Sequence, residues 1–270
     1  MAKKTAVIIG CGAIGKVLAK ALVADLSGEV GEIYVYDADQ KKMDEIRRSF
    51  SKIKAAKDMK DAVKVADIVL EAASPKVSGE LLDMAVNAGK DVLIMSVGGL
   101  LDKDRVFEKA RKKKVRILVP SGAISGIDAL KAAKIGGLDS VMITTRKPPL
   151  SIKDAPYVKE NNIDVVNIKG EKVVFDGNAL QAVKGFPQNI NVSAVLSLAG
   201  IGPEKTKVRI IVSPEYTKNT HEIEILGKSG RIKTVTENVP SPENPKTSYL
   251  AALSAVSLLK DYFDTVRIGS

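Results

Sequence analysis

Val7-Ile8-Ile9-Gly10-Cys11-Gly12-Ala13-Ile14-Gly15-Lys16-Val17-Leu18 decides how this chain is read. An apolar run ends in glycines spaced G-x-G-x-x-G, and a helical pattern starts at once. Strand, phosphate turn and helix start in that order open a dinucleotide-binding unit. Gly10 permits the tight turn, Gly12 lets a pyrophosphate approach the backbone, and Gly15 lets the helix pack close to the sheet. Ala13 and Ile14 begin the helix, whose first N–H groups face the phosphates. A second strand, Glu32-Ile33-Tyr34-Val35-Tyr36, ends at Asp37. That is about twenty residues on, where a carboxylate meets a ribose 2′-hydroxyl.

Outward from this stretch the alternation continues. Residues 16–26 read as an amphipathic helix, 40–50 as a second with Met43, Ile46 and Phe50 inward, and 59–65 as a short third. Ile68-Val69-Leu70-Glu71-Ala72-Ala73-Ser74-Pro75 is a buried strand broken at the proline. A helix over 77–88, a strand over 91–96, a Gly98-Gly99 turn, a helix over 103–113 and a strand over 116–119 follow. Strands alternating with helices predict a parallel, doubly wound α/β sheet of the Rossmann kind, with ligands at the carboxyl ends of the strands. Those ends place Ala73, Ser74 and Ser96 with the glycine turn as cofactor-binding candidates.

Past Ser121 the texture changes. Residues 140–146, 207–213, 221–227 and 231–236 alternate apolar and polar, as half-buried antiparallel strands do. Residues 170–177 look like strand then turn, and 189–199 like a helix. A last helix over 247–262 places Leu250, Leu253, Val256 and Leu259 on its buried face and returns to the first domain. The expected organisation is a dinucleotide-binding domain of residues 1–122 plus 247–270. The second domain, 123–246, is α+β with a mixed or antiparallel sheet, and supplies substrate groups and a dimer surface.

Composition narrows the function classes. With 270 residues, 45% of them hydrophobic, the chain can bury a real core. No apolar run approaches ~18 residues, so no membrane span is expected. The N-terminus runs straight into the first strand and leaves no room for a signal peptide, which suits a cytoplasmic enzyme. The single cysteine, Cys11, cannot form an internal disulfide; it is either a small residue filling the turn or a reactive thiol. A net charge of +10 raises nucleic acid as a partner. The basic residues are spread out, however, and the densest run, 109–116, falls at a helix end where cations complement the dipole. With no tryptophan and few aromatics to stack on bases, nucleic acid is set aside. The positive charge suits acidic substrates and phosphates instead. No Cys/His cluster has metal-ligand spacing, and no G-x-S-x-G signature is present.

An enzyme that moves hydride with a nicotinamide needs a group to move the accompanying proton. His221 is the single histidine, and its ordinary pKa near neutrality makes it the obvious general acid/base. Equally, it could simply begin a strand whose buried face carries Ile223 and Ile225. Gly185-Phe186-Pro187-Gln188-Asn189-Ile190-Asn191-Val192 puts two amides at a helix start, where they either cap it or hold a carboxylate or a nicotinamide amide. The stretch 237–248 is rich in turn formers. In it Lys246, Thr247 and Ser248 offer a cation, hydroxyls and N–H groups to an anionic substrate. The alternative there is a rigid linker with Thr247 or Ser248 as N-cap.

Four segments are more specific than the glycine turn: Pro120-Ser121-Gly122-Ala123-Ile124-Ser125-Gly126-Ile127-Asp128-Ala129-Leu130, the Gly185 to Val192 stretch, Asn219-Thr220-His221-Glu222 and Asn244-Pro245-Lys246-Thr247-Ser248. In this order, and over nearly the whole length, the chain resembles the short archaeal and bacterial L-aspartate dehydrogenases. The resemblance implies oxidative deamination of L-aspartate through iminoaspartate to oxaloacetate and ammonia. It also implies a supply of iminoaspartate for NAD biosynthesis, and a homodimer. The family's active-site histidine maps onto His221, and its NAD contacts onto Ala123 and Asn189. Asn191, Lys246, Thr247 and Ser248 are the candidates for holding substrate. Asp37 favours NAD by repelling a 2′-phosphate, while the resemblance implies that either NAD or NADP serves. The rival readings are homoserine dehydrogenase and dihydrodipicolinate reductase, the latter needing paired histidines that one histidine cannot supply. A redox-sensing NAD-binding regulator would want a DNA-binding module for which the chain has no room.

Overall fold

A computed structural model describes residues 2–187, 191–242 and 244–269, with the side chains of residues 245 and 246 excepted. The chain forms two compact units, Met1–Pro120 with Ala252–Val266, and Ser121–Ala251 with Arg267–Ser270.

In the first unit the chain runs β1 (Lys4–Ile9), α1 (Ala13–Ala24), β2 (Val30–Tyr36), α2 (Gln40–Ser49), β3 (Ile53–Ala55), α3 (Met59–Val65), β4 (Ile68–Glu71), α4 (Pro75–Ala88), β5 (Asp91–Ile94), α5 (Asp104–Lys113) and β6 (Ile117–Leu118). All neighbouring strands are parallel, in the order β3-β2-β1-β4-β5-β6. Helices covering both faces explain why β4 is buried at every residue and reads as an unbroken apolar run. On α2, Met43 and Ile46 are buried and Phe50 packs beside them, as the helical spacing requires. Asp39 and Asp58 cap α2 and α3 by accepting from Lys41 N and Asp61 N.

The second unit runs α6 (Ile127–Gly136), β7 (Leu138–Lys147), α7 (Pro156–Glu160), β8 (Lys172–Asn178), α8 (Ala179–Gly185), α9 (Asn191–Ala199), β9 (Lys207–Val212), β10 (Asn219–Gly227), β11 (Gly230–Asn238), β12 (Pro240–Ser241) and β13 (Asn244–Ser248). Its main sheet has the order β11-β10-β7-β9-β8, with β7 and β9 parallel and the other pairs antiparallel. Val141, Ile143, Val208, Ile210, Ile223 and Ile225 project from one face into a core shared with Leu130, Leu196 and Phe186. Phe186 meets Phe175 and Tyr157 with ring centroids 5.5 and 5.4 Å apart, contacts worth about 0.5–1.5 kcal/mol per pair beyond area burial.

Two expectations for the C-terminal segment change. Thr247 and Ser248 do not start a helix; they end β13, which pairs with β12. The last helix, α10 (Tyr249–Phe263), starts after them, and its first N–H already donates to Val239 O. No free helix start is therefore offered at Thr247. The buried stripe of α10 is Ala252, Ala255, Leu259 and Tyr262, while Leu250 and Leu253 are 39% and 41% exposed. Leucines stand on the exposed side of this helix too, beside Ser257, Lys260 and Asp261, so the leucine spacing pointed to a different stripe from the buried one. The alanines let α10 approach closely, and Tyr262 fixes its rotation, accepting from Lys4 Nζ and donating to Asp91 Oδ2, both at 2.7 Å. This returns most of α10 to the first unit, where Leu259 joins the core around Leu18 and Leu22.

Candidate functional site

In the first unit, the glycine turn joins β1 to α1. Gly10 has φ +102°, and a Cβ there would lie 2.5 Å from Ala72 O; a Cβ on Gly15 would lie 2.1 Å from Gly10 O. Both glycines are demanded by backbone approach. Gly12 differs: among the described residues, its chain neighbours and own helix apart, no heavy atom comes within 4 Å of where its Cβ would stand. Space is thus kept open at the glycine expected to meet a phosphate, and this turn fits a dinucleotide. Ala13 and Ile14 form the first turn of α1. Asp37 follows β2 and accepts from Cys11 N at 2.7 Å and from Asp39 N at 2.9 Å, which ties the acid to the glycine turn. A carboxylate has lone pairs left for a ribose diol after those two bonds. Cys11 is fully buried, and burial followed by the Asp37 charge pushes its thiol up to about 12. It fills the turn and is no nucleophile.

A group that sequence patterns did not mark lies beside this turn. Glu71, the last residue of β4, is buried, and its carboxylate gathers four donors. Ala73 N and Ser96 Oγ donate to Oε1 at 2.8 and 2.9 Å; Ser96 N and Met95 N donate to Oε2 at 2.8 and 3.1 Å. Burial raises its pKa, against the downward pull of those hydrogen bonds. Glu71 thereby locks the carboxyl ends of β4 and β5 together. The N–H groups of Ala73 and Ser96 are committed to it, and Ser96 O accepts from Ser78 Oγ at 2.8 Å. Ser74 is the N-cap residue of α4 without a side-chain cap bond. The one sequence signal was an acid ending an otherwise apolar strand.

In the second unit, the inner face of the sheet turns from apolar to polar toward one end. Along the inner face of β7 run Val141, Ile143, Thr145 and Lys147; along β10, in the reverse direction, Ile225, Ile223 and His221 lead to Asn219. His221 stands opposite Thr145 in the register, with Nδ1 2.9 Å from Thr145 Oγ1. Burial first, and then the Lys147 charge, depress the ring to about 3. Both effects favour the neutral imidazole, and Nδ1 is the nitrogen that Thr145 engages. Lys147 is only 4% exposed, and burial lowers it to about 8.

At this polar end lies a cavity of about 610 Å³. Its wall includes Lys147, Asn219, Asn238, Phe186, Thr247 and Ser248. Asn238 ends β11 and donates from Nδ2 to Ala123 O at 3.0 Å and to Asn219 O at 3.3 Å. Among the described residues the oxygens Asn219 Oδ1 and Asn238 Oδ1 are buried without a hydrogen-bond partner.

The cavity thus collects Thr247 and Ser248 from the expected substrate residues, with Lys147, Asn219 and Asn238 added. His221 is not itself a lining residue; it sits two residues along β10 from Asn219, which is. Asn191 opens α9 away from the lining, and Ala123 is buried with its carbonyl engaged by Asn238. Asn189 and the Lys246 side chain lie outside the described residues. Among the described residues no three His, Cys, Asp or Glu side chains gather as metal ligands, and no helix is long and apolar enough to cross a membrane.

Both units match known families. Residues 128–262 match the C-terminal domain of aspartate dehydrogenase, and residues 10–120 the NAD-binding domain of homoserine dehydrogenase. The L-aspartate dehydrogenase of Methanococcoides burtonii is 44% identical, over 97% of this chain and 98% of its own. That of Methanosarcina mazei is 43% identical over the same shares. The crystal structure of aspartate dehydrogenase from Thermotoga maritima superposes with a TM-score of 0.78 at 28% identity, covering 99% of this chain and 100% of that one.

Proposed function

The chain belongs to the L-aspartate dehydrogenase family, and on that premise we propose that it oxidises L-aspartate with NAD or NADP to iminoaspartate, which water converts to oxaloacetate and ammonia. The observation that carries the reading is the match to L-aspartate dehydrogenases through both units, at 44% identity over 97% of the chain. Homoserine dehydrogenase resembles only residues 10–120 and is the weaker reading.

The dinucleotide is held by the first unit: the Gly10 to Gly15 turn for the pyrophosphate, Asp37 for the ribose, and the Glu71-braced ends of β4 and β5 alongside. When bound, the cofactor would supply the hydride acceptor for the oxidation. The rest of the work falls to the second unit. Neutral His221, held through Nδ1 by Thr145, uses Nε2 to take a proton from the substrate amine or from the water that adds to the imine. Asn219 and Asn238 line the cavity with their amides, and Thr247 and Ser248 offer hydroxyls to the substrate carboxylates. Ala123 and Asn189 keep the NAD contacts that the family resemblance implies, and Asn191 and Lys246 stay candidates for holding substrate.

In the cell this reaction supplies iminoaspartate to NAD biosynthesis in the cytoplasm, where substrate and a dissociable cofactor meet. A homodimer suits the second sheet, whose outer face exposes Leu226 and Val235 beside the ion pairs Lys233–Glu222 and Arg231–Glu224. The decisive assay is reduced-cofactor formation by the purified protein with L-aspartate, set against L-homoserine, L-malate and L-glutamate. Turnover is expected with L-aspartate. An enzyme that ignores aspartate and turns over another of these defeats the proposal.

A further inference from the structure

Lys147 is the last residue of β7, and the alternation of that strand puts its side chain on the inner face with Thr145, Ile143 and Val141. The position is unusual for a lysine. The other lysines on the cavity wall, Lys153 and Lys218, are exposed, and Lys218 pairs with Glu237 at 3.0 Å. Lys147 is buried to 4% exposure and reaches the cavity. A lysine that could have ended this strand in solvent is carried inward onto the cavity wall. Its neighbour along β7, Thr145, holds the His221 ring, and Asn219, across on β10, shares the cavity wall.

We propose that Lys147 receives a carboxylate of the dicarboxylic substrate, so that adjacent strands carry the charge that holds the substrate and the ring that moves its proton. The inference rests on the aspartate reading of this same cavity and adds a binding residue that neither motif nor spacing had marked. Low polarity favours the pairing, because a carboxylate meeting an ammonium away from water is attracted far more strongly than at the surface. Burial lowers Lys147 to about 8, and an arriving carboxylate favours its charged form again. The same carboxylate offsets the lysine charge that bears on His221 and returns basicity to the ring as substrate binds.

The test compares wild type with Lys147→Met and Lys147→Arg, using L-aspartate as substrate and succinate and butyrate as unreactive probes. Lys147→Met should raise KM for L-aspartate and the inhibition constant of succinate by roughly 100-fold, the usual penalty for removing one partner of a buried charge pair. The inhibition constant of butyrate and the affinity for NADH should not move, and Lys147→Arg should recover part of the loss. A folded Lys147→Met enzyme with wild-type KM and succinate inhibition overturns the proposal. Should neither variant fold, the wild type decides: the inhibition constant of succinate, and not that of butyrate, should rise as pH passes through about 8, where Lys147 loses its charge. A succinate constant that does not change with pH overturns the proposal too. Failure of wild type to oxidise aspartate strikes the proposed activity itself, whereas an active wild type with an unaffected Lys147→Met strikes only the role of the lysine.

Discussion

Thr145 Oγ1 stands 2.9 Å from His221 Nδ1, the two residues directly opposite each other in the β7–β10 register. A hydroxyl on one strand thereby sets which nitrogen of the ring on the next is engaged, inside a face too buried for water to substitute.

Thr145→Val keeps shape and removes that hydroxyl. One ring nitrogen is left unpaired in a buried site, and the ring loses its orientation. We expect kcat with L-aspartate to fall about tenfold, from a loss of ~1–2 kcal/mol. Affinity for NADH should be unchanged, and Thr145→Ser should restore turnover. Steady-state kinetics on the three proteins decide it; wild-type kcat in Thr145→Val would remove Thr145 from the mechanism.

His221→Gln should cost turnover by about 10²–10⁴-fold, the range for losing a general acid/base. It should also change acid stability. The native ring titrates near 3, below its ordinary 6.5, so between these values the unfolded chain binds more protons than the folded one. Stability is therefore complete above pH 6.5 and is lost as pH falls through that interval. In melting curves between pH 6.5 and about 4.5, above the ordinary carboxylate range, wild type should lose stability with acid while His221→Gln stays flatter. Parallel curves would mean the ring is not buried as described.

Gly12→Ala and Gly15→Ala should fail differently. A Cβ at residue 15 collides with Gly10 O at 2.1 Å, so Gly15→Ala should lower the melting point, with a cost of ~2 kcal/mol or more. A Cβ at residue 12 meets nothing in the protein. Gly12→Ala should melt like wild type yet bind NADH about tenfold or more weakly, since that space belongs to the pyrophosphate. Unchanged NADH affinity in Gly12→Ala would argue against the turn as the phosphate site.

Glu71→Gln replaces an acceptor-only carboxylate by an amide, and strands at least one of the four donors that converge on it. The expected loss is about 1–3 kcal/mol of stability, together with weaker NADH binding as the ends of β4 and β5 loosen. The pH dependence changes as well. A buried acid with a raised pKa adds stability that is complete below its ordinary range and declines as pH rises through the native value. Glu71→Gln should lack that decline. Thermal melting across pH, with NADH titration alongside, tests both; an unaltered profile would show the cluster to be incidental.

The parts of this protein legible in its residues are those governed by short-range geometry. The turn at Gly10 to Gly15 needs only a few adjacent residues to state that a backbone must pass where no side chain fits. Helices such as α3 announce themselves through spacing, and the alternation over 140–146 carries Val141, Ile143 and Thr145 on one parity, with Lys147 one residue past the expected end of that strand. Where apolar residues stand on more than one face, spacing pointed elsewhere: α10 turns Ala252, Ala255, Leu259 and Tyr262 inward and leaves Leu250 and Leu253 partly exposed, and residues 247–248 are drawn into a hairpin by β12. Glu71 illustrates the same limit from the other side. An acid at the end of an apolar strand is visible, but its four donors come from residues up to 25 positions away.

The strand, the glycine turn, the acid at Asp37 and the single histidine were therefore available from residue order, because each rests on neighbours in the chain or on simple presence. Which groups stand beside that histidine was decided by the pairing of β7 with β10, strands whose contacting residues Thr145 and His221 lie 76 positions apart. Burial at that junction also sets the charge state of His221 and Lys147. It depends on how whole elements close over the site, a free energy that no short stretch of residues contains.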